Sequence, residues 1–435
     1  MASAEPVTAG GAGARPRHVT VVGAGIVGIC SAAYLQRQGF AVTVLDRVAP
    51  GMATSFGNAG SLSPSAVLPV AMPGMTKRVP GWLMDPLGPL TVRWRYLPFV
   101  APWLIRFLRH AKPEEVRRVA TAMSSLLTPV FDCYDPLLKA AGAQHLVRRN
   151  GCLYVYETEA EFAAAGRLLD LRRDLGATLD VVGPDEMHQL EPALNRKFVK
   201  GIFAPDNGST VDPAALVTAI AGQVVADGGE ILQAEVRDLE IGPDGPVALL
   251  TDSGRRPVDG LVIAAGAWSR RLARRLGHDV PLETQRGYHV TLAEPGVTVN
   301  RTVMWNRRSV FANPMIPGLR VAGTVELAGL DAAPNYARAE KLAAIGAEMF
   351  PGVNTASPSH WMGHRPCLPD SLPVIDRARR FPNVVFAFGH QHVGMCAGAP
   401  TGRLVAQLMA GAVPDIDLAP FRVDRFGSLL GGGPA

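Results

Sequence analysis

The chain has 435 residues, of which 48% are hydrophobic and 19% charged, with a formal net charge of +5. That length allows two domains with buried cores, and the mild charge, without basic residues interleaved with stacking aromatics, argues against a nucleic-acid binder. Five scattered cysteines without C-x-x-C spacing and ten histidines without H-E-x-x-H argue against a disulfide framework and a metal centre.

Residues 1–17, small and flexible in composition, read as a disordered lead-in rather than a signal peptide. No window reaches 18 apolar residues without charge, so no membrane span is predicted. His18 to Arg47 then reads as strand, glycine turn, helix and a second strand ending in an acid. Val19 to Val22 form the first strand. Gly23, Gly25 and Gly28 complete G-x-G-x-x-G where that strand hands over to a helix opened by Ile26 and Val27. Gly23 permits the tight turn, Gly25 lets a pyrophosphate approach the backbone, and Gly28 lets helix and strand pack closely. The helix N-terminus offers free N–H groups to that pyrophosphate. Gly39 closes the helix, and Asp46 follows the second strand, 23 residues after Gly23, where a carboxylate can bond a ribose 2′-OH. A dinucleotide site is predicted.

Gly51 to Ser65 is rich in Gly, Ser and Asn and can wrap a ligand with backbone N–H groups. Residues 66 to 112 mix Pro, Trp and Arg. They read as a segment packing Trp82, Trp94, Trp103 and Phe107 inward; the alternative is an interfacial helix pair on anionic lipid. Lys112 to Ala141 and Glu157 to Leu175 read as helical, with "GCLYVYE" between them as a strand. Asp212 and Pro213 cap a further helix ending at Gly228. "EILQAEVRDLEIG" reads as a strand passing Val236, and Leu261 to Ala265 as a central parallel strand ending at Gly266. Residues 285 to 330 alternate as antiparallel sheet, and "YARAEKLAAIGAEMF" is helical. "NVVFAF", "GHQHVGMCAG" and "APTGRLVAQLMAG" close the chain as strand, glycine turn and helix. The fold class is mixed α/β: a Rossmann-like nucleotide-binding domain interrupted by a domain with antiparallel sheet and helices.

The segments "VVGAGIVG" (21–28), "TSFGNAGSLSP" (54–64), "RGYHVTL" (286–292), "GHRPCLPDSLPVID" (363–376) and "FGHQHVGMCAGAPTGRLVAQLM" (388–409) together resemble the FAD-dependent oxidoreductases of the D-amino-acid oxidase superfamily. Bacterial D-amino-acid and D-hydroxyproline dehydrogenases are the nearest branch. The resemblance implies an FAD-binding domain from 18–80, 205–275 and 360–435, and a substrate domain from 81–204 and 276–359. It implies non-covalent FAD, with Gly23, Gly25 and Gly28 on the pyrophosphate and Asp46, beside Arg47, on the ribose. Ser55, Asn58, Ala59, Gly60 and Ser61 would line the flavin side, and Val236 the adenine end. Ala265 and Gly266 would pass the dinucleotide, and Gly389, His390, Val393, Gly394 and Met395 would meet the pyrimidine edge of the flavin. The N–H groups of that last turn would stabilise negative charge on a reduced flavin.

The resemblance also assigns Arg365 in "GHRP" to the substrate carboxylate, which a guanidinium fork grips with two bonds. Tyr288 is the second candidate catalytic residue, through a hydroxyl that could close on carboxylate or amine. His364, His390 and His392 read as hydrogen-bonded spacers and Cys367 as a packing thiol. The implied activity is oxidative deamination of a D-amino acid, or of a cyclic D-imino acid, by hydride transfer to flavin N5. Electrons would pass to a quinone or other carrier; the alternative is an oxidase of D-amino acids, glycine or sarcosine that reduces oxygen to hydrogen peroxide. A cytoplasmic location follows, with peripheral contact to the inner membrane as a variant of the carrier reading.

Overall fold

The computed structural model describes residues 17–75, 88 and 90–426. Apart from Arg17, the expected lead-in lies outside the described residues, as does Trp82. The strand His18–Val22 is buried along almost its whole length, as an apolar run covered on both faces should be. It pairs in parallel with Ala41–Asp46 on one side and Gly260–Ile263 on the other. The complete sheet has six strands in the order 230–233, 41–46, 18–22, 260–263, 384–388, 374–377, and only the last of these is antiparallel. The helices Ile26–Arg37 and Gly394–Ala410 cross tightly on one face of it. Small residues set that crossing: a Cβ at Gly402 would stand 2.6 Å from the Cys30 carbonyl, and one at Gly398 would stand 2.8 Å from Ile26.

The second large sheet has nine strands. Its order runs 359–367, 283–292, 318–327, 310–315, 302–305, 152–156, 200–204, 180–182, with 90–92 pairing beside 325–327. It is mostly antiparallel, as the alternation in 285–330 predicts, with parallel pairs only at 302–305/152–156 and 90–92/325–327. The strand Ser359–Cys367 lies beside Glu283–Leu292 and puts Arg365 opposite Gln285. After 260–263 the strands from 283 to 367 all belong to this sheet, and the chain then returns to the six-stranded one at 374–377. The helix Ala337–Met349 covers this sheet through a core around Trp305, Tyr288 and Phe350.

Three expectations change. The helix expected over Lys112 to Ala141 is two, Pro113–Leu127 and Val130–Ala140, divided at Pro129, which has no N–H to continue the hydrogen-bond ladder. The strand expected to pass Val236 is also two. Glu230–Gln233 stays in the parallel sheet, while Val236–Gly242 starts a separate three-stranded antiparallel sheet. Between them the Ala234 N–H bonds back to the Asp46 carbonyl, holding the crossover at the edge of the nucleotide turn. Finally, the aromatic segment packs inward only in part, and Trp94, expected inside, is exposed. In the helix Leu97–Arg109, Trp103 and Phe107 are buried and stacked, with centroids 5.2 Å apart, while Phe99 and Ile105 face solvent.

Candidate active site

Two cavities share a wall. The first, about 1070 Å³, opens over the C-terminal ends of the parallel strands, and the second, about 520 Å³, lies against the nine-stranded sheet. Thr54, Asn58 and Gln391 line both. Ligand crevices at strand C-termini are where open α/β sheets place their sites.

The glycine turn forms the floor of the first cavity. Gly23 has φ +115°, and a Cβ there would overlap the Ala264 carbonyl. A Cβ at Gly28 would overlap the Gly23 carbonyl. Gly25 is different: its Cβ would meet only the Ser55 hydroxyl, at 3.4 Å, so the bare backbone faces the cavity. Ser55 Oγ accepts from the Ile26 N–H at 3.0 Å and so ties the 51–65 loop to the helix N-terminus. Asp46 is set in place by two backbone donors, Ala24 N–H at 2.7 Å and Val48 N–H at 3.2 Å. Beside it the Arg47 guanidinium lies over the Trp268 ring, 3.9 Å from the centroid, a cation–π pair that walls the mouth.

The sequence-predicted residues divide between the two cavities, with Asn58 on their shared wall. Gly23, Gly25, Ile26, Val27, Asp46, Arg47, Ser55, Asn58, Val236, Ala265, Gly266, Gly389, His390, Gly394 and Met395 line the first cavity. Ala59, Ser61 and Val393 line the second, together with Arg365 and Tyr288. Gly28 and Gly60 line neither. They are close-packing positions, and a Cβ at Gly60 would stand 2.7 Å from both Asn313 and the Thr210 carbonyl.

Arg365 lies against Gly287 and donates from Nη1 to the Thr324 carbonyl at 3.0 Å. No carboxylate among the described residues pairs with it, and burial pulls its pKa down. Tyr288 is placed otherwise than expected. Its hydroxyl donates to Glu326 Oε2 at 2.5 Å and accepts from the Asn335 N–H at 3.1 Å. Glu326 is held in turn by Arg286 at 3.2 Å and Arg93 at 2.7 Å. The tyrosine is therefore anchored in a buried ionic cluster and presents its ring, not a free hydroxyl. Burial is the main cause that pushes its pKa up to about 12.

His390 and His364 stay neutral near neutral pH. Burial pushes His390 down to about 3 and His364 to about 4. His390 bonds Thr401 at 3.0 Å, and His364 bonds Thr284 at 3.0 Å. Cys367 is buried with Val92, Trp103 and Phe107 and lines neither cavity.

The FAD dependent oxidoreductase family, DAO, matches residues 18–408. The chain belongs to this family. It is 42% identical over 419 residues to a D-amino-acid oxidase of Bradyrhizobium diazoefficiens, covering 94% of this chain and 99% of that protein. It is 30% identical over 418 residues to a D-amino acid dehydrogenase of Chromohalobacter salexigens, covering 94% and 99%. The fold matches that of the L-proline dehydrogenase from P. horikoshii with a TM-score of 0.74 at 18% identity, over 95% of this chain and 98% of that one.

The residues of this family member fit FAD. Side chains are sterically barred at Gly23, the backbone is bare at Gly25, and a pre-oriented carboxylate waits at Asp46. Several lining residues were not named individually in the sequence reading, among them Thr54, Gln391 and Arg172. Thr54, which donates to the His364 carbonyl at 3.0 Å, and Gln391, with φ +48°, both stand inside motifs already singled out. Arg172 had no local signal at all, because its helix Glu159–Asp174 reads as an ordinary polar surface helix.

Proposed function

We propose that the protein oxidises a D-amino acid with bound FAD, through Arg365. The observation that carries this reading is a guanidinium without a carboxylate partner in a cavity that adjoins the nucleotide cradle. An amino-acid carboxylate completes that guanidinium bidentately and fixes the substrate's orientation. When bound, FAD supplies the two-electron acceptor for the hydride leaving Cα. The chain's own part is then positioning. Arg365 holds the carboxylate, the Thr324 carbonyl holds Arg365, and Tyr288 and Trp361 shape the wall. The Tyr288 hydroxyl is engaged by Glu326 and Asn335, and an amine that arrives neutral needs no base from the protein. Overall the Cα–H bond and one N–H bond are lost, an imino acid forms, and water converts it to a 2-oxo acid and ammonia.

Dioxygen is the final acceptor in this reading, taking two electrons and two protons to become hydrogen peroxide. The 42% identical relative named as an oxidase supports it. The relative named as a dehydrogenase supports a second reading, in which a carrier replaces oxygen. An anaerobic titration of the yellow protein with paired D- and L-amino acids tests the function. Bleaching by D-substrates alone is expected, and a flavin that no amino acid bleaches would overturn it. Readmitting air separates the acceptors: rapid recovery of the oxidised bands with peroxide release supports oxygen, and recovery only with a dye or quinone supports the carrier.

A further inference from the structure

Arg172 lies on the helix Glu159–Asp174, far from Arg365 in sequence, yet it lines the same 520 Å³ cavity. It is 6% exposed. Its Nε donates to the Ser65 carbonyl at 3.1 Å and its Nη2 to the Ser65 hydroxyl at 2.8 Å, and the guanidinium sits over the Tyr154 ring, 4.8 Å from the centroid. A guanidinium has five N–H donors, and Ser65 uses two of them. Among the described residues no carboxylate pairs with Arg172, and none of the residues lining the cavity is Asp or Glu. Ser63, Ser65 and Asn207 form a neutral hydrogen-bonded patch beside it, with Asn207 Oδ1 accepting from both hydroxyls at 2.8 and 3.0 Å.

The cavity thus holds two guanidinium groups on separate walls and no anion to balance either. Buried charges are ordinarily paired, because an unpaired one sacrifices its hydration without a return. One carboxylate, placed on Arg365 by the function proposed above, leaves the second guanidinium without a counter-ion. We propose that Arg172 binds a second acidic group of the substrate, so that the enzyme acts on dicarboxylic amino acids such as D-glutamate or D-aspartate. The proposal rests on the amino-acid reading of the site and adds the substrate class.

The holoenzyme tests it in two independent ways. Flavin absorbance is titrated with glutarate and with butyrate, which differ by one carboxylate; glutarate is expected to bind at least tenfold more tightly. Steady-state kcat/KM is then compared for D-glutamate and D-glutamine, with the acid favoured at least tenfold. In R172Q that ratio should fall by tenfold or more, and R172K should restore part of it. The ratio is independent of the fraction of enzyme correctly folded, so a residue that merely holds the 63–65 loop would lower both substrates together and leave it unmoved. Equal binding of glutarate and butyrate, or an unchanged ratio in R172Q, overturns the proposal. If D-glutamine and other neutral D-amino acids bleach the flavin and D-glutamate does not, the general function stands and the acidic specificity falls. If no amino acid bleaches it, the general function falls, and glutarate against butyrate still decides the cavity's preference.

Discussion

The side chain of Arg365 lies directly across the backbone of Gly287 on the neighbouring strand. A Cβ at Gly287 would overlap the guanidinium carbon and stand 2.7 Å from Nε. The bare backbone of one strand is therefore the seat for the carboxylate-binding group of the next. Gly287→Ala should push the guanidinium off its Thr324 anchor and raise KM about tenfold, near 1.4 kcal/mol, with a smaller effect on kcat. Arg365→Ala should lose about 2–5 kcal/mol in kcat/KM, since truncation leaves the substrate carboxylate without its partner. Steady-state kinetics on both variants checks the pair; an unchanged KM in Gly287→Ala would place the substrate carboxylate elsewhere.

Gly23 and Gly25 should respond differently to the same substitution. At Gly23 the strained φ and the Ala264 carbonyl leave no room, so Gly23→Ala should lower the melting temperature and yield colourless protein, with strain of about 1–3 kcal/mol. At Gly25 the added methyl meets only Ser55, at 3.4 Å. Gly25→Ala should fold normally as the apoprotein and bind FAD about tenfold more weakly, near 1.4 kcal/mol, because the methyl points to where the pyrophosphate comes closest. Apoprotein melting and flavin titration separate the two effects.

Tyr288→Phe should have a mild effect on turnover. The hydroxyl is bound to Glu326 and Asn335, and Glu326 keeps Arg286 and Arg93 when the hydroxyl is removed. A stability loss of about 1 kcal/mol is expected, with kcat changed less than about fivefold. A fall of a hundredfold or more would instead identify the tyrosine as a proton donor.

Stability should decline steadily as pH drops below about 6.5. Burial depresses His289 and His390 to about 3, and His364 to about 4, below the ordinary value near 6.5. The unfolded chain then binds protons that the folded chain refuses, so each group contributes stability that is present above pH 6.5 and is lost toward pH 3–4. Each contributes a slope approaching about 1.4 kcal/mol per pH unit within that window. Urea midpoints measured between pH 7 and pH 5 check this, and His390→Gln should flatten the curve by about one proton. A flat profile in the parent protein would show these rings charged in the folded state.

The nucleotide half was legible because its signals are local. Gly23, Gly25, Gly28 and Asp46 lie within one strand–turn–helix–strand unit, where φ, a missing Cβ and a short spacing dictate the geometry by themselves. Parallel strands at 18–22, 260–263 and 384–388 were equally readable from uninterrupted apolar runs. Breaks that depend on the course of the chain were not, such as the strand that leaves one sheet at Ala234 to begin another at Val236.

The substrate side was decided by tertiary structure. The sequence marked Arg365 and Tyr288 as candidates, but only strand pairing seats Arg365 on Gly287, and only the approach of the strand Gly318–Leu327 ties Tyr288 to Glu326. Arg172 reaches the same cavity from a helix whose surface pattern reveals nothing of it. Backbone conformation is set by neighbours a few residues away. Whether a buried charge has a partner depends on every element that closes around it.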